Sequence, residues 1–175
     1  MKSHNRTVEK ILLLALLIVT IAGCGGNKVV KQYKPIGSIS LSILASDEFS
    51  EDKIDRFEML NGKENIIAEI RSLFVKKKLY DYSSPLSMEI VIDEFRMRHG
   101  AMAFFFGILA GADFLGGEVK LVKDGRTIKT FHTGTGSSVG GLRAPTQVAR
   151  MERLVRKFAK LVYNEYRKDP DETPD

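Results

Sequence analysis

"LSMEIVIDEFRMR", residues 86–98, is the stretch from which the fold can be built. Leu86, Met88, Ile90 and Ile92 recur at every second position, the spacing that places side chains on one face of a β-strand. After Asp93 the parity changes, and the next apolar residues are Phe95 and Met97. One extra residue exchanges the two faces of a strand, so a β-bulge near Asp93-Glu94 restores a continuous apolar face. The reading is a long strand with one face covered, and the rest of the chain must supply its neighbours and its cover.

The neighbours are legible on both sides. In "GEVKLVKDGRTIKTFHT", 117–133, Asp124-Gly125 is a favoured two-residue hairpin turn, because both positions tolerate positive φ. In "SISLSILAS", 38–46, Ile39, Leu41 and Ile43 share one face and Ser38, Ser40 and Ser42 the other, a half-buried strand. The cover is helical. "ENIIAEIRSLFVKKKL", 64–79, carries a stripe of Ile66, Ile67, Ile70, Leu73 and Phe74. Lys76 to Lys78 follow in the last turn, where cations suit the helix dipole. "PTQVARMERLVRKFAKLVYNEYRK", 145–168, repeats Val148, Met151, Val155, Phe158 and Val162 at helical spacing, widened by Leu154 and Leu161. Arg150, Arg153, Lys157 and Lys160 read as a basic stripe on another face, a solvated surface or a contact for anionic lipid or an acidic wall polymer. Residues 47–61 read as charged and irregular, and Tyr80 to Tyr82 as a very short strand. The expected fold class is α+β: a mostly antiparallel sheet of about four strands with two helices packed on one face.

Between two of these strands lies "HGAMAFFFGILAGADFLGG", 99–117. Ala101 to Ala112 lack charge, but twelve residues fall short of the ~20 that a spanning helix needs. Asp113 stops the run, and Gly107 and Gly111 weaken it as a helix. It reads as a glycine-jointed connection that folds over the core. The alternative is an exposed apolar tip, in which Phe104, Phe105 and Phe106 would form an interaction surface.

The N-terminus reads as an address. "MKSHNRTVEK" is basic, "ILLLALLIVTI" is a short apolar core, and "AGC" ends it with small residues before the one cysteine of the chain. Ile21-Ala22-Gly23-Cys24 resembles the lipobox of bacterial lipoproteins, in which the cysteine thiol takes a diacylglycerol and the peptide is cut before it. The other readings are an ordinary signal peptide and an uncleaved N-terminal helix. The resemblance implies lipidation of Cys24, palmitate among the acyl chains, and stable membrane anchorage, since each buried methylene adds ~0.8 kcal/mol. Gly25, where Asp commonly signals retention in the inner membrane, points to the periplasmic face of the outer membrane. The expected organisation is a signal peptide over 1–23, a lipidated tether over 24–36, one domain over 37–168 and a disordered tail over 169–175. The formal charge of +5 drops to +3 once residues 1–23 are removed, too little to argue for nucleic acid.

The remaining polar residues carry no catalytic or metal-binding signature in sequence. His99 and His132 have no His or Cys near them in sequence, so no zinc spacing or Cys-His nucleophile pair exists. "GTGSSVGG", 134–141, lacks the spacing of phosphate loops and reads as a flexible connection. Asp93 and Glu94 face opposite ways on a regular strand. The expectation is no catalytic residues, no metal and no cofactor. Catalytic groups brought together from distant positions would reverse it.

The succession "MEIVIDEFRMR", "GAMAFFFGILAGA", "GGEVKLVKDGRTIKTFHTGTGS" and an amphipathic C-terminal helix resembles the bacterial family called domain of unknown function 4410, over roughly residues 37–167. That family has no established catalytic residues to carry over. The anchor, the tether and the absence of catalytic signatures give the expected function: a lipid-anchored envelope protein with a non-catalytic accessory, assembly or protein-interaction role. Its expected partners are the membrane, through lipid on Cys24, and an envelope protein or further copies of itself. The alternative is an envelope binding protein for a small ligand or cell-wall glycan, using the Gly-rich loop and the basic helix face.

Overall fold

The computed structural model describes residues 33–43, 50–99, 111–138 and 145–168. The strands are β1 (Ser38–Ile43), β2 (Leu86–Arg96), β3 (Asp113–Lys123) and β4 (Arg126–Ser137). The helices are α1 (Glu51–Met59), α2 (Gly62–Lys76) and α3 (Gln147–Tyr166), in the order β1-α1-α2-β2-β3-β4-α3. One four-stranded sheet runs β1-β2-β3-β4.

β2 is the strand that its alternation predicts. It pairs antiparallel with β3, Ile92 opposite Gly117 and Glu94 opposite Gly116, which leaves Asp93 as the extra residue of a bulge. Leu86, Met88, Ile90, Ile92 and Phe95 are therefore all buried on one face. The β3–β4 turn is Asp124-Gly125, with φ of 51° and 73°. Positive φ at both positions matches the right-handed twist of the strands it joins. A second bulge, between Leu121 and Val122 of β3, leaves Ile128 of β4 unopposed and 54% exposed.

The expected mostly antiparallel sheet holds for two of its three pairings, and the helix count needs correction. The sheet is mixed: β1 lies parallel to β2, Ile39 beside Met88 and Leu41 beside Ile90. A parallel neighbour needs a long crossover, and α1 and α2 together provide it. There are also three helices rather than two, because α1 occupies the stretch read as irregular. Only Phe57 of α1 is buried, so its apolar stripe is too short to give a periodic signal. Glu51 and Asp52 in its first turn suit the positive end of the helix dipole. Phe57 meets Phe95 edge-on at 5.2 Å, which fastens α1 to the buried face of β2.

The three helices share one core with that face. Ile66, Ile70 and Phe74 of α2 and Met151, Leu154, Phe158 and Val162 of α3 are buried against the sheet and each other. Two members of the expected α3 pattern depart from it: Val148 is 58% exposed, whereas Arg150, read as part of a solvated stripe, is 1% exposed. The fold also begins earlier than the periodic pattern. Ile36 is fully buried, bridges in parallel to Tyr80, and donates its N–H to the Leu79 carbonyl at 2.9 Å. Tyr33 packs on Tyr166, ring centroids 6.0 Å apart.

Candidate functional site

The residues singled out from sequence fall in three groups. Cys24 and Phe104, Phe105 and Phe106 lie outside the described residues. His99 and His132 have separate partners. His99 Nε2 accepts from Arg56 Nη2 at 2.7 Å, and Arg56 Nη1 donates to the Met97 carbonyl at 2.7 Å. His132 Nε2 lies 3.0 and 3.1 Å from the two carboxylate oxygens of Asp93, on the open side of the sheet. The bulge gives Asp93 this position. No group of three His, Cys, Asp or Glu suited to a metal ion occurs among the described residues.

The Gly-rich stretch is not wholly a loop: Gly134 to Ser137 continue β4, with Gly134 opposite Gly116 and Gly136 opposite Phe114. The Phe114 ring lies over these glycines; a Cβ at Gly134 would sit 2.7 Å from the ring's Cζ atom. Glycine here gives the ring a bed, a packing role that loop composition does not reveal. Lys157 Nζ donates to the Gly136 carbonyl at 3.4 Å, so the basic helix and the Gly-rich strand do meet.

The site that sequence reasoning missed is a buried ion cluster. Asp113 is fully buried at the start of β3, opposite Ser137 at the end of β4. Its Oδ1 accepts from the Arg98 backbone N–H at 2.9 Å and from Arg98 Nε at 3.1 Å. Arg150 Nη1 reaches Oδ1 at 3.2 Å and Oδ2 at 3.0 Å. Arg150 Nη2 donates to the Arg98 carbonyl at 2.7 Å, which also accepts from Gln147 Nε2 at 3.2 Å. Arg98 Nη2 reaches the Ser137 carbonyl at 3.5 Å. Two guanidiniums thus share one carboxylate in a dry setting, where charge-assisted bonds are strong and an unpaired charge is expensive.

The cluster has a positional meaning. Arg98 and Asp113 bracket residues 99–112, and Ser137 and Arg150 bracket 138–149, so four roots converge on one carboxylate. The described residues that flank the apolar link and the Gly-rich connection therefore meet at one place. Thr146 sets the start of α3 there, its side-chain oxygen accepting from the Ala149 N–H at 3.2 Å.

The other end of α3 receives the incoming chain. Tyr33 Oη donates to the Arg167 carbonyl at 2.8 Å, and Tyr166 Oη donates to the Lys34 carbonyl. Lys129 Nζ donates to the carbonyls of Glu165 and Lys168, each at 2.7 Å. The Tyr33 and Lys129 bonds engage carbonyls at the helix end, where intrahelical partners run out, and the Tyr166 bond ties the incoming chain to it. Burial raises the Tyr166 phenol to about 12, and Tyr33 adds to the rise. At 1.5 Å per residue, Arg150 and Tyr166 stand roughly 25 Å apart along the helix.

No family model matches the chain, so the resemblance to domain of unknown function 4410 gains no support there. No curated protein matches either. Among solved structures the chain is similar to PelC from Paraburkholderia phytofirmans, a dodecamer, at 12% identity and a TM-score of 0.42, over 73% of this chain and 86% of that one. It is similar to a Xanthomonas campestris protein of the family designated DUF330 at 10% identity and a TM-score of 0.45, over 74% and 87%. It is similar to a minor lipoprotein from Acinetobacter baumannii at 7% identity and a TM-score of 0.39, over 76% and 92%.

Proposed function

We propose that this chain is a lipid-anchored envelope protein, held through Cys24 at the periplasmic face of the outer membrane, that acts without catalysis by contacting a protein partner or further copies of itself. The observation that carries the reading is the division of labour along α3. The tether enters at one end, beside Tyr166 and Arg167. The roots of the apolar link and of the Gly-rich connection meet roughly 25 Å away, at Asp113. An anchor at one end leaves the Asp113 end to meet a partner. Phe104 to Phe106 belong to the apolar link, and aromatic side chains are common anchors of protein interfaces.

The test is crosslinking in intact cells, with mass spectrometry of whatever becomes attached, on wild type and a Cys24→Ser form. The expected result is a discrete partner or homo-oligomer with the wild type only, and loss of membrane fractionation in Cys24→Ser. A Cys24→Ser protein that fractionates like wild type would overturn the anchor. An anchored wild type that crosslinks to no protein would overturn the contact role.

A further inference from the structure

All five tyrosines of the chain, and none of its other polar aromatics since it has no tryptophan, gather at the tether end of the domain. Tyr33 packs on Tyr166, Phe74 meets both Tyr163 and Tyr166 edge-on, and Tyr80 meets Tyr82 at 5.1 Å. The bridge from Ile36 to Tyr80 joins the two groups. Cations are laid over these rings: Arg167 over Tyr33 and Tyr163, Lys77 over Tyr163, Arg71 over Tyr80. Tyr82 is 79% exposed.

Among the described residues the charge of this end is one-sided. The helix groove between α2 and α3 opens here into a 350 Å³ compartment lined by Lys76, Lys77, Arg156 and Lys160, with Tyr163 and a single carboxylate, Glu69. Lys34, Lys78 and Lys168 are exposed beside it. Among the described residues the acids nearby are Asp81 and Glu165, and Glu165 is already engaged by Lys168 at 2.6 Å; the sequence then continues with Asp169, Asp171, Glu172 and Asp175. Helix-dipole compensation accounts for Lys76 in the last turn of α2, but Arg71, Arg156 and Lys160 lie further back along their helices. Lys78 holds φ 57° just beyond α2, a position at which glycine would be free of strain.

We propose that this tyrosine-and-lysine end docks on the anionic headgroups of the bilayer that holds the chain's own N-terminus. The inference rests on the lipid anchor proposed above. Eight residues separate Cys24 from Tyr33, and that length spans at most about 30 Å when fully extended. The end that the tether enters is therefore the end kept nearest the membrane. Tyrosine with its apolar body and polar tip suits the headgroup layer, and clustered lysine and arginine suit anionic lipid. The bound domain would stand with α3 rising from the surface and the Asp113 end outward.

The chain carries its own reporter, since its tyrosine fluorescence arises wholly from this end. The full lipidated protein would be mixed with phosphatidylcholine vesicles, with or without one third phosphatidylglycerol, each with a headgroup nitroxide as quencher. Docking predicts stronger quenching on the anionic vesicles, relieved by salt as the Debye length shrinks. It predicts an apparent affinity weaker by roughly tenfold or more in Lys76→Glu/Lys77→Glu/Lys160→Glu with unchanged circular dichroism. Equal quenching on both vesicles, none on either, or quenching indifferent to salt would overturn it. The salt titration of wild type decides the matter even where the triple variant misfolds. Flotation with pure phosphatidylcholine reads the anchor alone: a protein that fails to float there lacks its lipid, whereas the anionic vesicles still report the tyrosine end.

Discussion

Asp113 is the carboxylate between Arg98 and Arg150, with side-chain exposures of 0%, 5% and 1% respectively. Removing it takes from two buried guanidiniums the carboxylate they share, so Asp113→Ala should lose about 3–5 kcal/mol in urea unfolding. Replacing Arg98 and Arg150 by Met in the same variant should restore most of that loss, because a neutral cluster has no charge to strand. The location of Arg150 was readable in part: it lies four residues before Leu154 and eight before Phe158, on the apolar side of α3. Its charge, and its regular spacing with Arg153 and Lys157, concealed this. Tyr166 supplies a pH-dependent counterpart. Its folded pKa of about 12 exceeds the ordinary 10.0, so between those values the folded state binds more protons than the unfolded one. The sign is then fixed: this contribution is fully present below pH 10 and is lost as pH rises toward 12. The urea midpoint should fall across that window, and Tyr166→Phe should flatten that part of the decline.

At the scale of elements, legibility followed the length of the apolar pattern. β2, α2 and the β3–β4 hairpin have four or more periodic positions or a dedicated turn pair, and each was readable. α1 has one buried residue, and nothing in "EDKIDRFEM" shows that Phe57 will meet Phe95. The pairing of β1 was hidden for another reason, since alternation reveals a strand's faces but not the direction of its neighbour. α1 buries one side chain, Phe57, and adds the bonds of Arg56 to the Met97 carbonyl and to His99, which makes it the helix most easily released. Phe57→Ala should cost about 3–5 kcal/mol if α1 unfolds only with the whole domain. If α1 opens on its own, amide exchange over 51–59 should accelerate by an order of magnitude or more while β3 keeps its protection; exchange mass spectrometry separates the two. A different limit operates between β2 and β3. A Cβ at Gly117 would lie 2.5 Å from the Val91 carbonyl oxygen. Backbone cannot swing aside as a side chain can, so Gly117→Ala should destabilise by about 1–3 kcal/mol, seen as a lower urea midpoint.

The whole molecule is organised by where its connections enter and leave. The incoming chain is tied to the end of α3 by Tyr33 and Tyr166, whereas the roots of 99–112 and 138–149 are tied to its beginning by Asp113. The sequence could place neither, because the ties join residues 132 and 134 positions apart at one end and 37 apart at the other. Two ends held about 25 Å apart by one helix should be separable by mutation. Phe104, Phe105 and Phe106 all changed to Ser should keep membrane flotation and the unfolding midpoint, yet lose crosslinked partners in cells. Lys76→Glu/Lys77→Glu/Lys160→Glu should do the reverse at the other end, retaining those crosslinks while its tyrosines leave the reach of a headgroup quencher. A Phe variant that is no longer folded would place the three rings in the core, and the contact surface would then have to be sought elsewhere. Crosslinks lost equally in both variants would mean that orientation on the membrane and partner contact are one event, with α3 coupling them rather than merely keeping them apart.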